Sequence, residues 1–271
     1  MLELGKQSDH DAFYNPGRLY PISRSEKRKE IGIDPNNLPF FGFDCWNHYE
    51  VSWLNNKGKP MVAIAEIAYD CNSPKIIESK SLKLYFNSLN NTKFNNIAEL
   101  EAIIKKDLEE RVEANVTVTI NSLEKLTGVA AQTSFIGENL DELDIECSVY
   151  TVDQSFLAVH DELVEETLYS DLLKSNCPVT NQSDWGSIQI AYIGKKINRE
   201  GLLKYLISYR NHNEFHEQCI ERIFVNIMRH CNPTYLTVYG RYTRRGGLDI
   251  NPYRTTEKSL FDGKNHRLIR Q

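Results

Sequence analysis

A repeat constrains this chain more than any other feature of its sequence. The block SLKLYFNSLN (81–90) lies on LLKYLISYRN (202–211) at an offset of 121, and the same offset places Phe94 on Phe215. After each phenylalanine, apolar residues recur at helical spacing. These are Leu100, Ile103, Ile104 and Leu108 in the first copy and Ile220, Ile223, Phe224, Ile227 and Met228 in the second. Strand-like segments precede the blocks, MVAIAEIAYD (61–70) and GSIQIAYIG (186–194), and others follow the helices, ANVTVTI (114–120) and TYLTVYG (234–240). Asn232-Pro233 supplies a helix stop in the second copy. The pattern is a duplicated α+β unit, with one unit expected in 1–145 and the other in 146–271.

The 271 residues have room for two modest units or one large domain, and 41% hydrophobic with 25% charged residues is an ordinary globular balance. The connection, roughly 121–165, carries the strand-like SVYTV (148–152) and the acidic ENLDELDIE (138–146), so it is expected to be folded. Residues 1–40, with Pro16, Pro21, Pro35 and Pro39, lack periodicity and are expected to wrap the surface and carry little chemistry.

Thirty-two Lys and Arg against 37 Asp and Glu leave a formal charge of −5, which opposes a direct nucleic-acid partner. The start lacks the apolar core of a secretory signal, and no apolar run approaches the roughly 20 residues that span a bilayer, so a cytoplasmic protein without membrane contact is expected. Six scattered cysteines with no CxxC pair give neither a zinc ribbon nor a disulfide scaffold, and no metal site is expected.

Polar residues found in one copy only cannot be explained by the shared architecture, so they are the first candidates for chemistry. Four segments qualify. ESKSLKLY (78–85) has a charge pattern that its counterpart does not copy. His216 and Glu217 fall where the first copy has Asn95 and Asn96, and at about 100° per residue both lie near the apolar face of a helix's first turn. Glu217 either complements the helix dipole or serves a site, and His216 is either a satisfied core histidine or a functional one. The polar loop before Asp184 carries Cys177, and a thiolate with a nearby acid is a nucleophile with a proton source if the two meet. Cys219 and Cys231 continue an apolar helical stripe and read as core. RRGGLDINP (244–252) offers arginines and bare backbone N–H groups to a phosphate, or is simply a glycine turn. Neither GxGxxG nor a Walker A motif occurs.

Taken together, ESKSLKLY (78–85), CPVTNQSDW (177–185), RNHNEFHE (210–217) and RRGGLDINP (244–252) resemble the NADPH-dependent 7-cyano-7-deazaguanine reductases, the nitrile reductases of queuosine biosynthesis, in their long two-domain form. One departure is Ser183, where many relatives carry proline. The resemblance implies tandem tunnelling-fold (T-fold) units, antiparallel sheets each carrying two helices. It implies that Cys177 attacks the nitrile carbon to form a covalent thioimide, that Asp184 donates a proton to the nitrogen, and that NADPH delivers hydride in two rounds. Substrate contacts carry over to Ile77, Glu78, Ser79, His216 and Glu217, and NADPH contacts to Ser79, Lys80, Arg245 and Gly246. A site formed between the units of a homodimer, with both chains contributing, is implied as well. Two rivals remain: a tunnelling-fold zinc hydrolase resembling GTP cyclohydrolase, which needs a cysteine and histidine metal set, and a non-catalytic purine- or tRNA-binding module.

Overall fold

The computed structural model describes residues 11, 13–126, 131–258, 265 and 267–271. In chain order the first half holds β1 (Pro21–Ser23), α1 (Ser25–Glu30), β2 (Phe41–Leu54), β3 (Pro60–Asp70), β4 (Lys75–Ile77), α2 (Ser79–Leu89), α3 (Ile97–Val112) and β5 (Val116–Asn121). The second half holds β6 (Glu138–Asn139), β7 (Val159–Asn176), β8 (Ser183–Ile197), α4 (Arg199–Ile207), α5 (His216–Cys231), β9 (Tyr235–Tyr242) and β10 (Leu248–Thr255). Both copies therefore run through two long strands, two helices and a further strand. α2, α3 and α4 start where side chains can satisfy their first N–H groups. Asn96 accepts from Glu99 N at 2.9 Å and Asn198 from Gly201 N at 2.7 Å. The second copy's stop works as expected: α5 ends at Asn232, whose φ of 46° is left-handed, immediately before Pro233.

Among the described residues eight strands form one sheet, in the order β5-β3-β2-β10-β9-β8-β7-β6, antiparallel except for the short β6–β7 pair. β1 and β4 pair separately. The halves join through β10, which pairs with β9 on one edge and with β2 on the other, setting Ile250 opposite Trp46 and Asp249 opposite Asn47. The duplication is thus one continuous surface rather than two separate sheets. The helices cover one face of it: Asp44 and Trp46 share a side of β2, and Asp44 belongs to an ion-pair group with Glu221 of α5 while Trp46 packs with Leu82, Tyr85 and Phe86 of α2.

Two cores result, and they exchange pieces. The first-half core includes Leu248 and Ile250 of β10, and the second-half core includes Ile31, Ile33, Phe40 and Cys71 from the first half. Cys219 and Cys231 are buried, as their stripe predicts. Two expectations fail. SVYTV (148–152) forms no strand; the connection instead contributes β6 and a short turn of 3-10 helix at Gln154–Phe156. The N-terminal segment does more than wrap the surface, because Leu19, Arg24, Arg28 and Ile33 are buried in it. Prolines there set the backbone course without revealing which side chains turn inward. Among the described residues no helix is long and apolar enough to cross a membrane.

Candidate active site

The hairpin between β7 and β8 carries the nucleophile candidate. Asn176 and Ser183 are the last paired residues, so 177–182 form the loop. Cys177 N donates to Gln182 O at 2.8 Å and Asn181 N to Cys177 O at 3.0 Å, with Asn181 at a left-handed φ of 57°. This closure folds Val179 and Thr180 back over the sulfur. Burial opposes ionisation of Cys177, but the Thr180 hydroxyl, the N–H groups of Thr180 and Val179, and Arg245 donate to it and hold the thiol below its ordinary value. Four other cysteines go the opposite way. Burial raises Cys45, Cys71, Cys219 and Cys231, Cys71 and Cys219 to about 12 and Cys231 to about 11. Ser183 opens β8, a strand position that also accepts proline, so the departure there leaves the hairpin intact.

Asp184 follows on β8, 4% exposed, its register partner Ser175 on β7. Its Oδ1 lies 2.6 Å from Arg245 Nη2 and 3.3 Å from His216 Nε2. Arg245 also donates to Gln182 at 2.7 Å. His216 is the first residue of α5, and its ring rests on Tyr242 with centroids 4.0 Å apart. Glu217 follows, 2% exposed, with Oε1 buried and unpartnered. Burial, then the charge of Asp44, push its carboxyl up to about 8.

These groups meet. A narrow cavity is lined by Ile77, Ser79, Cys177, Asp184, His216, Glu217 and Arg245, over a floor of Trp46 and Ile250, with Ile76, Pro178 and Phe215 completing the wall. It lies between the two halves of the chain. Glu78, Lys80 and Gly246 are not in its lining. Glu78 instead caps α2, accepting from Lys80 N at 2.8 Å and Ser81 N at 2.7 Å. Lys80 is exposed on the same turn.

Sequence reasoning missed Lys83. It lies one turn after Lys80 in the same motif, and that i, i+3 spacing was the available signal. Burial and the neighbouring Arg245 lower its pKa, and among the described residues no carboxylate comes within 4.0 Å of its ammonium. A Cβ built on Gly246 would sit 3.2 Å from Lys83 Cδ, so Gly246, at a φ of 56°, lies against the Lys83 side chain, while Gly247, at 69°, lies against Glu50. The floor residues Trp46 and Ile250 were missed too; nothing local in their strands announces a site.

The comparisons with known proteins agree with one another. Residues 10–120 match the family model described as "Nitrile reductase, 7-cyano-7-deazaguanine-reductase N-term", and 183–260 match that of the "QueF-like protein". The chain is 66% identical to an "NADPH-dependent 7-cyano-7-deazaguanine reductase" of Legionella pneumophila (strain Lens), across 99% of this chain and 94% of that one. The chain belongs to the 7-cyano-7-deazaguanine reductase family. A protein of the same name from Coxiella burnetii (strain CbuK_Q154) is 52% identical over 99% of this chain and 96% of its own. The solved apo form of an archaeosine synthase, QueF-Like, covers 36% of this chain at 20% identity with a TM-score of 0.31, too slight a likeness to argue from. Among the described residues no three His, Cys, Asp or Glu side chains gather as a metal set.

Proposed function

We propose that this reductase-family chain reduces the nitrile of 7-cyano-7-deazaguanine to the aminomethyl group of 7-aminomethyl-7-deazaguanine, a step of queuosine biosynthesis, with NADPH as reductant. The observation that carries the reading is a thiol held below its ordinary value in one cavity with a carboxylate, an imidazole and a second, buried carboxyl. A nitrile is a poor hydride acceptor. Cys177 thiolate adds to its carbon, a C–S bond replaces one C–N π bond, and the nitrogen takes a proton, which leaves a thioimide. Asp184 and His216, 3.3 Å apart, handle that proton as a pair, with Arg245 2.6 Å from the same Asp184 oxygen. Glu217, with Ile77, Ser79 and His216, holds the ring: a carboxylate suits the N–H edge of a guanine-like heterocycle, and Trp46 with Ile250 gives a flat apolar floor.

NADPH, when bound, supplies the two hydrides that take the nitrile to the amine, with two protons completing the balance. The residues at the cavity mouth fit its phosphates without a Rossmann motif: Ser79, exposed Lys80, Lys83, Arg245 and the bare backbone of Gly246 gather cations and N–H donors on one side. Two tandem T-fold units, 1–145 and 146–271, complete the proposal, supported by the repeat in sequence and by the two cores; a homodimer and a cytoplasmic setting are proposed with them on the family resemblance. The test is a spectrophotometric assay of NADPH oxidation with the nitrile, with chelator present. Two NADPH consumed per aminomethyl product is the expected result; no oxidation above background, or oxidation that the chelator abolishes, overturns it.

A further inference from the structure

Beside the cavity, and outside its lining, lies a buried cluster of five charges. Arg24, from the N-terminal segment, reaches Asp44 on β2. Arg254 on β10 approaches Asp44 Oδ1 at 2.8 Å and Glu221 Oε1 at 2.9 Å, and Arg28 grips both oxygens of Glu221 at 2.7 and 2.9 Å. All five are at most 3% exposed. Charges taken so far out of water persist only in a closely held geometry, since any loosening leaves one unpaired.

Placement connects this cluster to the site. Asp44 and Trp46 share a face of β2, as Arg254 and Ile250 share a face of β10, and Trp46 and Ile250 are register partners in the cavity floor. On α5, Glu221 lies about one turn, roughly 6 Å, beyond Glu217 on the same side. The guanidiniums therefore clamp the helix a single turn from the carboxyl that faces the cavity. Phe215, at the cap of α5, makes no side-chain hydrogen bond that would otherwise fix this helix start.

We propose that the Arg24–Asp44–Arg28–Glu221–Arg254 cluster is the positioning device for Glu217, pinning the start of α5 to β2 and β10 so that this carboxyl is aimed over the Trp46–Ile250 floor. Arg24 is a positioning residue, the link that the N-terminal segment supplies. The inference rests on the reading of Glu217 as the group that holds the ring. The charges of the cluster add a second effect, Asp44 opposing ionisation of Glu217 and Arg24 and Arg254 favouring it.

The test is a double-mutant cycle on the full chain, read as the dissociation constant for 7-aminomethyl-7-deazaguanine, which lacks a nitrile and binds without a bond to Cys177. Arg24→Gln is expected to weaken binding about tenfold in the otherwise unchanged protein and to have no further effect in Glu217→Ala, the non-additivity of groups acting as a unit. Arg24→Lys, which keeps the charge, should recover part of the loss. Equal factors in both backgrounds, or no effect in either, overturn the proposal, because a merely structural residue acts regardless of Glu217. Unchanged binding in Glu217→Ala alone overturns the reading of Glu217 and the proposal with it. If circular dichroism shows Arg24→Gln unfolded, Arg28→Gln enters the same cycle with the same two outcomes.

Discussion

α3 and α5 occupy equivalent places in the two halves, yet they begin differently. In α3, Asn96 caps the first turn, and Glu99 reaches back to Asn95 N at 2.7 Å. In α5 the equivalent positions are His216 and Glu217, Phe215 at the cap makes no side-chain bond, and both ionisable side chains turn toward the cavity. The other helix pair shows no such contrast, since Glu78 caps α2 and Asn198 caps α4. The first half spends polar residues on closing helix ends; in α5 the second half leaves an end open and places the polar residues against substrate. A duplicated fold can therefore specialise one copy at a helix start, while the packing elsewhere stays shared and the buried charge cluster takes over the task of holding the helix.

The sharpest way to break this comparison is Asp184→Asn. Removing the carboxylate that lies 3.3 Å from His216 should slow adduct formation on Cys177 by about 10²- to 10⁴-fold, with the aminomethyl product still bound normally by calorimetry. A change confined to product binding would mean that Asp184 holds the ring and Glu217 handles protons. Glu217→Ala should do the opposite, weakening product binding by about 1–3 kcal/mol through unpaired ring donors. A pH series sharpens this. Because Glu217 keeps its proton up to about 8 and ring N–H groups favour the carboxylate, binding at lower pH must release that proton. Affinity should rise with pH and level off near 8, and the dependence should flatten in Glu217→Gln.

Lys80→Ala and Arg245→Ala compare the two halves at the cofactor end. Each should weaken NADPH binding by about 1–3 kcal/mol, the range for a charge-assisted contact. Only Arg245→Ala should also slow adduct formation, because Arg245 donates to Cys177 and touches Asp184 at 2.6 Å. Single-turnover mass spectrometry separates the two. The smallest effect lies in the first half. Asn96→Ala should cost about 0.5–2 kcal/mol of stability in urea unfolding and leave adduct formation unchanged.

What could be read in advance was local or periodic. Helical spacing marked α3 and α5, alternation marked β3, β8 and β9, and one-sided polar residues marked Cys177, Asp184, His216 and Glu217. What could not be read depended on distant partners. That β10 would pair with β2 and fuse two sheets follows from register, which no local pattern of LDINPYRT encodes. Arg24 and Arg28 gave no local signal in a proline-rich segment, because their acidic partners, Asp44 and Glu221, are 20 and 193 residues away. Glu78 was legible as special, but its side chain serves the helix end that its own position creates. SVYTV had the composition of a strand and no described neighbour to pair with.

The central claim is that one thiol, drawn below its ordinary value in the β7–β8 hairpin, attacks the nitrile. Intact-protein mass spectrometry with 7-cyano-7-deazaguanine and no NADPH tests it directly, because addition has no leaving group and the whole substrate mass must appear on the chain. The account predicts one adduct per chain, mapped to the peptide containing Cys177, present in Cys219→Ala and absent in Cys177→Ala. An adduct that survives in Cys177→Ala would contradict it.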